Sequence, residues 1–253
     1  MWRPSLAWVT TRGLGLAVVV TLGGAFARPT PAAGQAGHPG AMRTATGRIE
    51  GRVTLAPRLT TRRLRLRVYA EPGGAPAPTE PDSNPFANVV LYLEAAPRAP
   101  VGGPPAAPPI MSQRGEQFRP HVLPVLAGTT VEFPNDDPIY HNVFSLAGAR
   151  TFDLGRYPKG ESKSIVFPRP GVVPVFCHIH ADMSAYILVL DHPYFTVPNA
   201  SGHFTIGDVL PGDYRLVVWH ERIRPIIIPV RVESGRAAAV DVSIPVAEPA
   251  GAR

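Results

Sequence analysis

The chain has 253 residues, of which 31 are Pro and 24 Gly. Both residue types interrupt helices, so a helical bundle or coiled coil is excluded. At 45% hydrophobic and 17% charged residues the chain is not disordered throughout, and its length accommodates one large or two modest domains. The net charge of +6 permits an acidic partner, but Lys and Arg are scattered, no nucleic-acid motif is present, and no nucleic-acid partner is expected.

The N-terminus reads as an export signal. Arg3 and Arg12 make a positive start, residues 13–24 are apolar, and Ala25 and Ala27 are the small residues a signal peptidase reads. The apolar stretch is too short to span a bilayer, so residues 1–27 are expected to be cleaved, with an uncleaved anchor as the alternative. No Cys follows, which excludes lipoprotein processing. The mature chain is then periplasmic or secreted, with no transmembrane span. A single cysteine, Cys177, cannot form an intrachain disulfide in that oxidising setting. It must be buried, reactive, paired between chains or bound to a metal.

Residues 28–46 form a Pro/Gly-rich tether, and His38 within it reads as solvated. A strand is predicted over 49–55. Leu64, Leu66 and Val68 then alternate with Arg63, Arg65 and Arg67, giving a strand with one basic face that is either solvated or a docking stripe. Residues 71–85 and 95–109 are Pro-rich loops. Between them, 89–93 is apolar at nearly every position, as in a strand buried on both faces. Two runs over 121–133 are split by a turn at Ala127-Gly128, and strands follow at 141–146, 164–167, 172–177 and 185–190. Beyond Asp191 a second set is predicted at 204–206, 214–219, 226–232 and 239–244. The fold class is all-β, as two sandwiches.

Chemistry concentrates in Cys177-His178-Ile179-His180-Ala181-Asp182-Met183. One strand delivers Cys177 at its end and another begins at Ser184, so Cys177, His180 and Met183 share one short loop that can wrap a single ion. His141 stands 36 residues upstream of Cys177, at a strand start. A thiolate, two imidazoles and a thioether form a soft donor set with one weak axial member, which suits copper. Structural zinc sites carry more thiolates, calcium and magnesium take oxygen ligands, and c-type haem needs a second Cys.

The segment 117–190 resembles a cupredoxin. The matching motifs are Phe118-x-Pro120, Gly128-x-x-Val131-x-Phe133-x-Asn135, His141-Asn142-Val143-Phe144 and Cys177-x-x-His180-x-x-Met183, the last with a spacing similar to amicyanin's. The resemblance implies one type 1 copper ion with His141, Cys177 and His180 as equatorial ligands and Met183 as the axial one. It also implies that Asn142 ties the two ligand loops together. The wider order, including Gln113-Arg114 and Pro193-Tyr194-Phe195, resembles exported bacterial proteins of the methylamine-utilisation or plastocyanin-like kind.

The flanks resemble a carboxypeptidase-regulatory, transthyretin-like sandwich. Its motifs are Gly47-x-Ile49-x-Gly51-x-Val53, Ala87-Asn88-Val89-Val90-Leu91, Asn199-x-x-Gly202-x-Phe204-x-Ile206 and Leu210-Pro211-Gly212-x-Tyr214-x-Leu216. The expected layout is signal peptide 1–27, linker 28–46, first part of the regulatory-like sandwich 47–98, cupredoxin domain 110–195 and second part 196–247. Residues 89–93 could equally be the first cupredoxin strand.

The remaining candidates read blandly. His178 lies beside the thiolate, as in multicopper oxidases, but the paired His-x-His motifs of a trinuclear cluster are missing, so His178 is an outward side chain. His121 packs, His192 and His203 occupy turn or surface positions, and Trp219-His220-Glu221 is packing with a polar exit. Asp136 and Asp137 are a pair of loop carboxylates, and nothing positions them for acid–base work. The expected function is an exported single-electron carrier working between redox partner proteins, not an enzyme. The alternatives are copper delivery or sequestration, and an assembly module with a structural metal.

Overall fold

The computed structural model describes residues 45–56, 84–97, 107–146 and 148–245. The signal peptide, nearly all of the tether, the arginine strand at 62–67 and most of both Pro-rich loops lie outside them.

All elements among the described residues are strands. β1 (Gly47–Leu55) and β2 (Val90–Glu94) come first. The next nine form sheets that share no strand with the flanking ones: β3 (Ser112–Gln113), β4 (Phe118–Arg119), β5 (Val122–Leu126), β6 (Thr129–Pro134), β7 (His141–Ser145), β8 (Phe152–Tyr157), β9 (Ser162–Phe167), β10 (Gly171–Phe176) and β11 (Ser184–Leu190). The chain then returns with β12 (Phe195–Thr196), β13 (His203–Val209), β14 (Gly212–Trp219), β15 (Ile226–Val232), β16 (Ala237–Ala239) and β17 (Val242–Ile244).

Pairing joins the first and the last of the described strands. β1 runs antiparallel to β13 and parallel to β16 and β17, while β2 lies between β12 and β14, with β15 outside β14. One apolar core fills the space between these two sheets, drawing Ile49 and Val53 from β1, Leu91 and Leu93 from β2, Phe204 and Ile206 from β13, and Leu216 and Val218 from β14. Each such side chain contributes roughly 1.5–3 kcal/mol on burial. Of the two readings of 89–93, pairing of β2 with β14 places that run in the flanking sandwich. Phe195, expected to close the inserted module, instead pairs with Tyr92 of β2.

The predicted strand over 239–244 is broken into β16 and β17 at Val240-Asp241. The Asp241 carboxylate accepts the Arg52 amide N–H at 2.9 Å, and Val240 N–H donates to Glu50 O at 2.9 Å. This close approach requires glycine opposite: a Cβ on Gly51 would run into the Val240 carbonyl.

The inserted module packs a five-stranded sheet, ordered β5-β11-β10-β7-β8, against the β6–β9 pair. Its core takes Val125, Val131, Phe133, Val143, Phe167, Val173, Val175 and Ile187 from alternate positions of facing strands. β8 is absent from the predicted strands because Gly155 and the exposed Asp153 and Arg156 interrupt its apolar pattern. The opposite face of β11 offers Tyr186 and Leu188, which meet Val90 and Trp219 across the junction between the modules.

Candidate metal centre

β10 and β11 form a hairpin whose last pair is Phe176↔Ser184, leaving residues 177–183 as the connection. That loop is cinched by Cys177 N–H to Met183 O at 3.2 Å and by Met183 N–H to His180 O at 3.0 Å. β7 is the other neighbour of β10, meeting it at Phe144↔Phe176, and this brings His141 at the head of β7 beside Cys177. The topology thus assembles residues that are 36 positions apart.

His141, Cys177 and His180 converge as a group whose ligand atoms all lie within 4.8 Å of one another. His141 Nδ1 is 3.9 Å and His180 Nδ1 3.8 Å from Cys177 Sγ, and the two nitrogens are 3.1 Å apart. Metal–nitrogen bonds of about 2.0 Å and metal–sulfur bonds of about 2.3 Å put two donors on one ion about 3–4 Å apart, and all three pairs have that spacing. His141 is fully buried, Cys177 is 5% exposed and His180 half-buried. Met183 is fully buried in the same core cluster at the loop's closing end. A single thiolate with two imidazoles fits copper better than zinc, calcium or magnesium.

The hydrogen bonds around the site aim its donors. His141 Nε2–H donates to Asp137 Oδ2 at 2.8 Å, which leaves the Nδ1 lone pair facing Cys177. Asp137 is itself buried, and accepts N–H from Gly115 at 2.6 Å and from Glu116 at 2.8 Å. Asn135 steadies the loop before His141, donating to Ile139 O at 2.8 Å and Tyr157 O at 3.0 Å. Burial pushes the Cys177 thiol up, but its contacts with His141, the Asn142 and Ile179 amides and His180 bring it down to about 6. Burial acts to lower the His141 pKa, yet Cys177 and Asp137 leave it raised overall. Thiolate character is therefore built into the fold.

Asn142 links the two ligand segments as the resemblance implied. Its Oδ1 accepts the His178 N–H at 3.3 Å, and its Nδ2 donates to Asp153 Oδ1 at 2.7 Å. His178 points outward, half-exposed, with its ring stacked on Phe144 at 3.7 Å and Nε2 3.8 Å from Asp153 Oδ2.

Other candidates stay apart from the centre. His121 sits at the module junction, edge-on to Tyr186 and 3.5 Å from the Glu221 carboxylate. His203 is exposed. His192, expected at a turn or surface, is 2% exposed, because its Nε2 bonds Leu93 O at 2.7 Å and its Nδ1 accepts the Tyr194 N–H at 3.3 Å. Asp137, read from the sequence only as a loop carboxylate not placed for acid–base work, is a hydrogen-bond partner of the ligand His141, whereas the Asp136 N–H donates to Gln113 O at 2.9 Å. The available signal was an aspartate four residues before a ligand histidine, in a loop rather than a helix.

No protein-family model and no curated protein matches the chain. Among solved structures, the Cu-containing nitrite reductase from Thermus scotoductus SA-01 is 27% identical over 39% of this chain and 26% of its own, with a TM-score of 0.34. The chain thus spans about a quarter of that enzyme. A purple cupredoxin from Nitrosopumilus maritimus is 24% identical over 32% of this chain and 96% of its own, TM-score 0.29. The reduced state of an amicyanin mutant is 19% identical over 40% of this chain and 98% of its own, TM-score 0.32. The hairpin-borne Cys177 and His180, met by His141 from the neighbouring strand, make the inserted β-sandwich a cupredoxin-like domain with a site for copper.

Proposed function

We propose that the protein is an exported carrier of single electrons, holding one copper ion, and not an enzyme. The observation that carries this reading is the convergence of Cys177, His141 and His180 at donor spacing on a hydrogen-bonded β scaffold. Bound there, copper would supply a one-electron couple. Cys177, His141 and His180 would hold the ion, with Met183 as the weak fourth donor. The chain's part is to keep those donors still, since a site that is not rearranged between oxidation states exchanges electrons with little delay. Asn142 and Asp137 serve that end by bracing both ligand segments.

Burial favours the carrier over copper delivery. His141 and Cys177 sit inside the sandwich, whereas an ion passed to another protein needs an open, adaptable site. The exposed end of the centre is the 177–183 loop, where Ile179 is 41% exposed and Ala181 is also exposed beside His180. We assign partner docking to that apolar rim, and export to the N-terminal signal pattern. No described helix is long and apolar enough to cross a membrane. The flanking strands would act as a regulatory-like scaffold without chemistry of their own.

The test is electron exchange of the copper-loaded full chain. Rapid, reversible reduction and reoxidation with retention of the ion against a Cu(I) chelator is the expected result. Ready loss of Cu(I) to the chelator would instead support delivery and overturn the carrier.

A further inference from the structure

Asp137 occupies a position that packing alone does not explain. It is a buried carboxylate, 7% exposed, on the loop between β6 and β7. Burying a charge is costly unless hydrogen bonds replace its water. Three donors do so here: His141 Nε2–H at 2.8 Å, Gly115 N–H at 2.6 Å and Glu116 N–H at 2.8 Å. Oδ2 receives both the imidazole and the Glu116 amide, and Oδ1 the Gly115 amide, so the group acts wholly as an acceptor.

The two amides are consecutive and belong to the turn joining β3 to β4. Both residues have left-handed backbone, φ 63° at Gly115 and 54° at Glu116, a conformation that glycine tolerates and glutamate does not favour. Successive N–H groups in such a turn form a concavity for an anion. The β3–β4 turn is tied to the same loop a second time, by Asp136 N–H to Gln113 O at 2.9 Å. Asp137 N–H, in turn, donates to Asn135 Oδ1 at 3.0 Å. The carboxylate is therefore gripped from two elements and presented to one atom, His141 Nε2.

We infer that Asp137 is a positioning residue for the metal centre: it fixes the His141 tautomer and ring plane, and its negative charge favours oxidised over reduced copper. The inference rests on the copper reading above and extends it to how the chain sets the centre's potential. The sign follows from charge. A carboxylate on the far side of the imidazole stabilises Cu(II), which carries one more positive charge than Cu(I), and so holds the potential down. Locking the proton on Nε2 also keeps Nδ1 permanently available as a donor.

The experiment compares wild type with Asp137→Asn in the full chain. It reads copper affinity by chelator competition in both oxidation states, the midpoint potential, and thermal unfolding without metal. Asparagine keeps the shape but removes the charge. The expected result is a 10- to 100-fold loss of Cu(II) affinity, of order the cost of losing such a partner, with Cu(I) affinity about tenfold less affected. A tenfold difference corresponds to a rise in potential of about 59 mV for one electron. A purely structural role would lower metal-free stability and leave the potential where it was, and that outcome overturns the inference while the copper reading stands. If wild type itself takes up no copper, both fall together. Should the variant not fold, the reduced wild-type protein decides by NMR. A slowly exchanging His141 Nε2 proton supports the assignment, and a proton found on Nδ1 or exchanging freely overturns it.

Discussion

Cys177 gains its character from neighbours rather than from its own chemistry. A buried thiol would ordinarily resist ionisation, yet the imidazole of His141, two backbone amides and His180 favour the thiolate. Met183 stands differently: it is fully buried in the same core cluster as Cys177, and its backbone closes the loop on both His180 and Cys177. Met183→Leu preserves volume and is expected to cost less than about 1.5 kcal/mol in thermal unfolding. With the thioether gone, copper remains bound and the potential measured by redox titration rises; an unchanged potential would remove Met183 from the ligand set. The ligand types and their loop were legible in the sequence because Cys-x-x-His-x-x-Met is local. Asp137 was not, since its role exists only once the β3–β4 turn, distant in sequence, brings two amides against it.

At the scale of elements, alternation exposed most strands, and its failures have physical causes. β8 escaped because it is an edge strand whose polar residues face solvent. The run at 239–244 reads as one strand, but Asp241 turns its carboxylate onto the Arg52 amide and splits the run in two. Gly51 makes that crossing possible. Gly51→Ala should destabilise the flanking sandwich by at least about 2 kcal/mol, through backbone contact with Val240, in chemical or thermal unfolding. The cupredoxin-like module does not use β1, so the copper site of the folded fraction should keep its spectrum. A neutral substitution there would mean that β1 and the 240–241 crossing do not approach as described.

The two groups of strands meet at a junction where Tyr186 and Leu188 of β11 pack with Val90 and Trp219. Periodicity could not reveal this face, because β11 is apolar on both sides and a sequence pattern does not say which side meets a second module. Immediately after Trp219 lies His220, 3% exposed, its Nδ1 accepting the Arg222 N–H at 3.1 Å. Burial depresses its pKa; Glu221 opposes this, and Arg222 and His121 add to it. A depressed histidine stays neutral in the fold while the unfolded chain takes up a proton, so stability falls as pH drops through about 6.5. Burial likewise opposes ionisation of Glu221, but His121 and His220 hold its pKa low, so its contribution is present above the ordinary glutamate range and lost below it. Unfolding midpoints of metal-free protein should therefore decline from pH 7 to pH 5, and His220→Gln should flatten the decline. A decline equally steep in that variant would assign the effect to other groups.

The central claim is that one thiolate and two imidazoles, carried on the β10–β11 loop and at the head of β7, hold a single copper ion. It is tested most directly by the visible and EPR spectra of the full chain loaded with Cu(II), beside Cys177→Ser. The account predicts an intense visible band that mild reductant bleaches reversibly, and its disappearance in the serine variant while the β-sheet circular dichroism persists. A colourless loaded protein, or a band that survives without the sulfur, would contradict it.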